Sequence, residues 1–223
     1  MSRNTLIALG VVVLIALGAG GWYLMNGSVT APGAGSGAGF DILSTDRTLG
    51  NPKAKVTLIE YAAPVCPHCS RFNAEVFPKI KKDYIDTGKI YYVFRVFPIS
   101  PADGPAEKIA RCLPEDKYFA FIDLLFRNQP KWDPEYGLTP DQVHEGLILM
   151  GRIAGISAQQ VDQCMAPNKA EDDRINKVAS DGQSRYSIGS TPTFIVNGVS
   201  QGQFDFTTLP QVLDKELAKQ KAG

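Results

Sequence analysis

The sequence lacks net charge: 23 basic and 23 acidic side chains cancel over 223 residues. It therefore offers no basic field to a phosphate backbone, and no nucleic-acid partner is expected. Charge is also missing locally, since apart from Arg3 no charged side chain precedes Asp41. Histidine is scarce at two residues, and cysteine is limited to four. No internal repeat, collagen-type glycine period or sustained heptad is present. The mixed-charge stretch from Asp41 to Gly223 can bury a sizeable core, which excludes wholesale disorder as well.

What the uncharged front does hold is hydrophobic length. Leu6 to Met25 offers 20 mostly apolar residues, enough to cross about 30 Å of hydrocarbon at about 1.5 Å per residue. Arg3 precedes the run, and Trp22 and Tyr23 fall where the far interface would be. By the positive-inside rule the amino terminus stays in the cytoplasm and the bulk of the chain is exported. Residues 1–27 are expected to be a membrane anchor. A cleaved secretory signal is the alternative, although the run is longer than the usual apolar core of about 7–15 residues. Either reading makes the rest periplasmic, tethered to the inner membrane in the first case and soluble in the second. Residues 28–40, rich in Gly, Ala and Ser, read as flexible tether. A compartment of this kind permits disulfides.

From Asp41 onward, periodicity orders the chain. Lys55 to Ala63 is a nearly continuous apolar, β-rich run, as expected of a central strand. Helix is predicted from Cys66 to about Asp86, kinked at Pro78, and a second strand over Lys89 to Phe97. Strand, helix and strand in that order make a parallel βαβ unit. Ala102 to about Lys169 reads as a bundle of short helices, with capping boxes at Thr139 and Ser157. A longer helix follows over Ala170 to Arg185. Thr193–Val196 and Val199–Gln201 then flank Asn197-Gly198, a type I′ hairpin signal. A last helix runs near Asp205 to Lys219. The order predicts an α/β thioredoxin-like fold in two parts, 41–101 and 170–223, with a helical insertion at 102–169.

The chemistry sits at the first strand-to-helix junction, Cys66-Pro67-His68-Cys69. Two cysteines at this spacing put the first sulfur among unpaired N–H groups at the positive end of a helix dipole, which stabilises a thiolate. Cys66 is predicted to be the nucleophile and Cys69 the shielded resolving thiol, with His68 adding to thiolate stabilisation. A stabler thiolate means a stabler reduced form and a more oxidising disulfide. Zinc would need two further ligands, usually a second close pair. Cys112 and Cys164 stand alone and His144 lies in a predicted helix, so no metal is expected, and the redox-active disulfide needs no other cofactor.

Taken together, Cys66-Pro67-His68-Cys69 after a Glu-containing strand, the helical insertion, and Thr191-Pro192 ahead of the final hairpin resemble the DsbA family of exported thioredoxin-fold disulfide oxidoreductases. The resemblance covers about Asp41 to Gly223. It implies a dithiol oxidase that gives its disulfide to newly exported proteins and is reoxidised by a DsbB-like, quinone-linked membrane partner. It also implies that Pro192 is the family's cis-proline, turning the backbone of Thr191 toward the dithiol; an ordinary trans proline is the alternative. The Thr191 hydroxyl is expected to bond the Cys66 sulfur.

Glu60 alternates with Val56, Leu58 and Ala62, so its carboxylate points to an apolar face, at a cost of several kcal/mol unless it has a partner or a task. The family reading makes it a proton acceptor for Cys69; the bland one is a strand-end Glu that reaches solvent. Cys112 and Cys164, on the apolar faces of predicted insertion helices, are expected to form a structural disulfide, with two free buried thiols as the alternative. The competing activity is an isomerase or reductase kept reduced by a membrane electron donor. Such isomerases usually carry an amino-terminal dimerisation domain, and Asp41 to Ala54 is too short for one. The domain is expected to be a monomer.

Overall fold

The computed structural model describes residues 40–202 and 205–222. The predicted anchor or signal at 6–25 and nearly all of the tether lie outside them. Among the described residues, no helix is long and apolar enough to cross a membrane.

A five-stranded sheet carries the fold, in the order β1-β3-β2-β4-β5. Its strands are β1 (Arg47–Gly50), β2 (Val56–Ala62), β3 (Ile90–Val96), β4 (Thr193–Val196) and β5 (Val199–Ser200). β2 and β3 run parallel, with Leu58 opposite Tyr92 and Glu60 opposite Phe94. β1, β4 and β5 pair antiparallel with their neighbours. All seven residues of β2 are buried, as its nearly continuous apolar run predicts for a strand covered on both faces. One face packs Val56, Leu58, Ala62, Tyr92 and Phe94 into the main core, and the other packs Ile59, Tyr61 and Val93 against Val178 and Ile188. The hairpin turns at Asn197 and Gly198 with φ of 48° and 81°, the two positive values that a type I′ turn requires.

Between β2 and β3 the chain forms α1 (Pro67–Glu75), α2 (Phe77–Ile80) and a π-helical turn (Lys81–Ile85). This corrects the single helix expected to kink at Pro78. The break falls earlier, at Val76. Pro78 then sits in the first turn of the new helix, where its missing N–H costs nothing.

The insertion is helical but interrupted. It comprises α3 (Asp103–Cys112), α4 (Tyr118–Arg127), α5 (Pro140–Ile153) and α6 (Ala158–Met165), joined in part by 3-10 turns at Glu115–Lys117, Gln129–Lys131 and Pro134–Tyr136. Thr139 and Ser157 each form the predicted capping box. Gly146 lets α5 approach the next segment, since a Cβ there would lie 2.1 Å from the Lys131 carbonyl and 2.7 Å from the Trp132 Cα. α7 (Lys169–Tyr186) crosses back to the sheet, and α8 (Leu209–Ala222) closes the chain. Buried Glu107 gathers Arg111, Arg174 and Tyr118 at 2.5–3.0 Å and ties α3, α4 and α7 together.

Cys112 and Cys164 are joined, with a Cα–Cα distance of 6.0 Å. Cys112 is exposed rather than set in the apolar face of its helix, because it is the last residue of α3. The bridge spans 52 residues, and the loop-entropy relation gives about 4 kcal/mol for a ring of that size. Cys112→Ala with Cys164→Ala is therefore expected to lower the unfolding free energy by up to that amount in urea titrations, with the signals of the Cys66–Cys69 pair unchanged.

Candidate active site

The dithiol lies where β2 delivers the chain to α1. Cys66 is the N-cap of α1, with Pro67 at the first helical position. Proline suits that position because its fixed φ matches a helix and its absent N–H has no partner there to lose. The Cys69 N–H donates to the Cys66 Sγ at 3.4 Å, and the Cys66 thiol donates to the Thr191 carbonyl at 3.3 Å. Both cysteines are free thiols; Cys66 keeps 3% of its surface exposed and Cys69 none. The Thr191–Pro192 peptide is cis.

The environment separates the two sulfurs. Cys66 is brought down to about 6, first by the Cys69 thiol acting as a donor and then, against the opposing effect of burial, by Thr191 and the N–H groups of Cys69 and His68. Cys69 is pushed well above an ordinary thiol by burial and by the nearby Cys66 and Glu60. One sulfur is thus mostly thiolate at neutral pH and the other is held as a thiol.

Glu60 lies beneath them, 2% exposed. Tyr92, on the neighbouring strand, donates to its Oε2 at 2.6 Å. Burial outweighs that bond, and the Glu60 carboxyl is pushed up to about 8. Glu60 and Tyr92 line a cavity of about 800 Å³ walled by Phe77, Phe94, Phe119 and Phe126.

Comparison with known proteins agrees with this geometry. The family model described as Thioredoxin matches residues 43–215. A crystal structure of Wolbachia pipientis alpha-DsbA1 superposes with a TM-score of 0.71 at 30% identity, covering 81% of this chain and 94% of that one. The chain belongs to the thioredoxin superfamily, in its DsbA-like group. Oxidised BdbD from Bacillus subtilis gives a TM-score of 0.64 at 26% identity, over 78% of this chain and 93% of that one. A Rickettsia felis protein provisionally named a protein-disulfide oxidoreductase is 33% identical over 183 residues, which are 82% of this chain and 64% of that protein. The chain thus spans less than two thirds of that relative's length.

Within this DsbA-like site, Thr191 and His68 act on the Cys66 sulfur through particular groups. The Thr191 side chain is among the groups that lower Cys66, as expected. The Thr191 carbonyl also faces the dithiol and accepts from the Cys66 thiol at 3.3 Å. His68 contributes through its backbone N–H, while its side chain and that of Pro67 are exposed. The structure brings together Cys66, Cys69, Thr191, Pro192 and Glu60, and places Cys112–Cys164 in the insertion, away from them. Sequence reasoning missed Tyr92, Asp103 and Gln129. Tyr92 was within reach, since strand alternation puts it on the same face as its parallel neighbour Leu58 and therefore as Glu60. The other two depend on how the insertion folds over the dithiol.

Proposed function

We propose that the protein is a thiol:disulfide oxidoreductase that passes the Cys66–Cys69 disulfide to exported proteins. The observation that carries this reading is the pairing of an acidic Cys66, capping α1 against the cis-Pro192 backbone, with a fully buried Cys69 of the opposite tendency. In the oxidised enzyme a client thiolate attacks the Cys66 sulfur; the Cys66–Cys69 bond breaks and a Cys66–client bond forms. Cys69 is a poor leaving group as a buried thiolate, and Glu60, protonated at neutral pH, supplies its proton. A second client thiolate then attacks the client sulfur, closes the client disulfide and expels Cys66 as a thiolate. Two electrons have passed to the dithiol, and a quinone-linked membrane partner removes them. Cys66 is the nucleophile in the reverse direction, and Glu60 is then the proton acceptor for Cys69. The exported compartment is supported by the Cys112–Cys164 bridge, since such bonds persist in oxidising surroundings. It is supported also by the name of a Bacillus subtilis relative, Disulfide bond formation protein D, 28% identical over 76% of this chain.

A second reading, a reductase or isomerase kept reduced by an electron donor, is favoured by one observation. Cys66 at about 6 is closer to the value of about 7 for thioredoxin than to the value of about 3.5 for DsbA. The equilibrium potential of the Cys66–Cys69 couple decides between them. A dithiol oxidase is expected well above thioredoxin's roughly −270 mV, toward −120 mV; a value at the thioredoxin end overturns the oxidase reading.

A further inference from the structure

The segment that carries Cys66 is held from outside the thioredoxin core. Gln129, in the 3-10 turn that follows α4, is 2% exposed. Its Nε2 donates to the Pro64 carbonyl at 2.8 Å and to the Cys66 carbonyl at 3.1 Å. From α3, fully buried Asp103 accepts from the Val65 N–H at 3.0 Å through Oδ1, and from Ile99 and Ser100 at 2.9 Å through Oδ2. Local partners serve Cys66 itself, as its N–H bonds the Ala63 carbonyl at 2.9 Å and the Ser70 N–H bonds its carbonyl at 3.0 Å. Two side chains of the insertion therefore supply the partners of the Pro64 carbonyl and the Val65 N–H, as buried backbone groups require.

The turn that holds Gln129 is itself fixed. Its carbonyl accepts from the N–H groups of Trp132 at 3.0 Å and Asp133 at 2.9 Å. Trp132 is fully buried, with its indole N–H on the Leu125 carbonyl at 3.0 Å. A rigid support of this kind is what a positioning residue needs. We propose that Gln129 is a positioning residue for the dithiol: by gripping the carbonyls of Pro64 and Cys66, it keeps the Cys66 sulfur in line with the Cys69 N–H.

This rests on the redox reading of Cys66 and adds a cause outside the Cys66–Cys69 motif. The peptide between Cys66 and Pro67 has no N–H to anchor it, so its plane is set by what its carbonyl accepts. Losing Gln129 leaves the Pro64 carbonyl with no donor among the described residues and the Cys66 carbonyl with the Ser70 N–H alone, so that plane is held less firmly and can tilt about the remaining bond. The 3.4 Å bond to the sulfur then weakens. Cys66 should ionise at higher pH, and the dithiol should become less favoured relative to the disulfide.

Gln129→Met keeps length and shape and removes the donor. Alkylation of Cys66 by iodoacetamide at pH 5, below its titration, is expected to slow about three- to tenfold, the effect of about one net hydrogen bond. The equilibrium with glutathione is expected to move toward the disulfide by a similar factor. Cys112→Ala with Cys164→Ala is the comparator, because it loosens the insertion without touching the clamp; it should lower stability and leave the alkylation profile in place. Gln129→Asn, which keeps the amide but cannot span the distance, is the second variant and should behave as the Met variant does. A folded Gln129 variant with the native alkylation profile and glutathione equilibrium overturns the proposal. A wild-type Cys66 that titrates as an ordinary thiol would instead overturn the redox reading of the site, so the two failures are distinguishable.

Discussion

Cys66→Ser is expected to reduce disulfide transfer to the uncatalysed background, while Cys69→Ser should trap the enzyme on its clients. The difference follows from burial. Cys66 keeps a sliver of exposed surface and Cys69 has none, so only Cys66 can meet a client sulfur, and serine there cannot form the bond that transfer requires. In Cys69→Ser the Cys66 thiolate still forms mixed disulfides, but its intramolecular resolving thiol is gone. A well-placed internal group can act at an effective concentration of about 10⁵ M or more. Against millimolar external thiol, mixed disulfides should thus persist at least about a thousandfold longer than in wild type. Non-reducing electrophoresis after incubation with a reduced, unfolded client reads the trapped species. Trapping by Cys66→Ser in place of Cys69→Ser would reverse the assignment, and trapping by neither would remove the exchange mechanism.

The parts of the molecule that were legible in the sequence are those whose cause is local. The β2 run is apolar but for Thr57 and Glu60 because both of its faces are covered, and Asn197-Gly198 announces a turn because two consecutive positive φ values leave few other choices. Cys66-Pro67-His68-Cys69 announces a helix N-terminus for the same kind of reason. Short β1 was not legible: Arg47–Gly50 has little apolar content and is a strand only because β3 offers it an edge. Nor was the end of α1, because the chain breaks one residue ahead of Phe77-Pro78 and continues as a second helix and a π turn. In the site, the residues carried by the motif and by strand alternation were readable. Gln129 and Asp103 reach the dithiol across 63 and 38 residues of sequence, and nothing in their own neighbourhoods marks them.

Glu60 sets the second large expectation, a stability that falls as pH rises. Its carboxyl is pushed from 4.5 to about 8 in the folded protein, chiefly by burial. Between those values the folded state holds a proton that the unfolded chain releases, so folding loses stability through that window and is unaffected outside it. At about 1.36 kcal/mol per pH unit, the total is on the order of 5 kcal/mol. Two other groups titrate nearby. Asp103, raised to about 6 by burial, acts in the same direction below pH 6. Cys66, lowered from 9.0 to about 6, acts in the opposite direction above it. The difference between wild type and Glu60→Gln removes both contributions, since the amide cannot ionise and still accepts from Tyr92. In urea titrations of the reduced proteins, Glu60→Gln is expected to be close to wild type at pH 5 and more stable by several kcal/mol at pH 8.5. The same variant has no proton to give Cys69, and its transfer rate at pH 7 should fall by about a hundredfold, near the low end for a positioned acid. Parallel stability curves would mean that Glu60 is ionised in the folded state too; it could not then be the donor, and the proton of Cys69 would have to come from solvent.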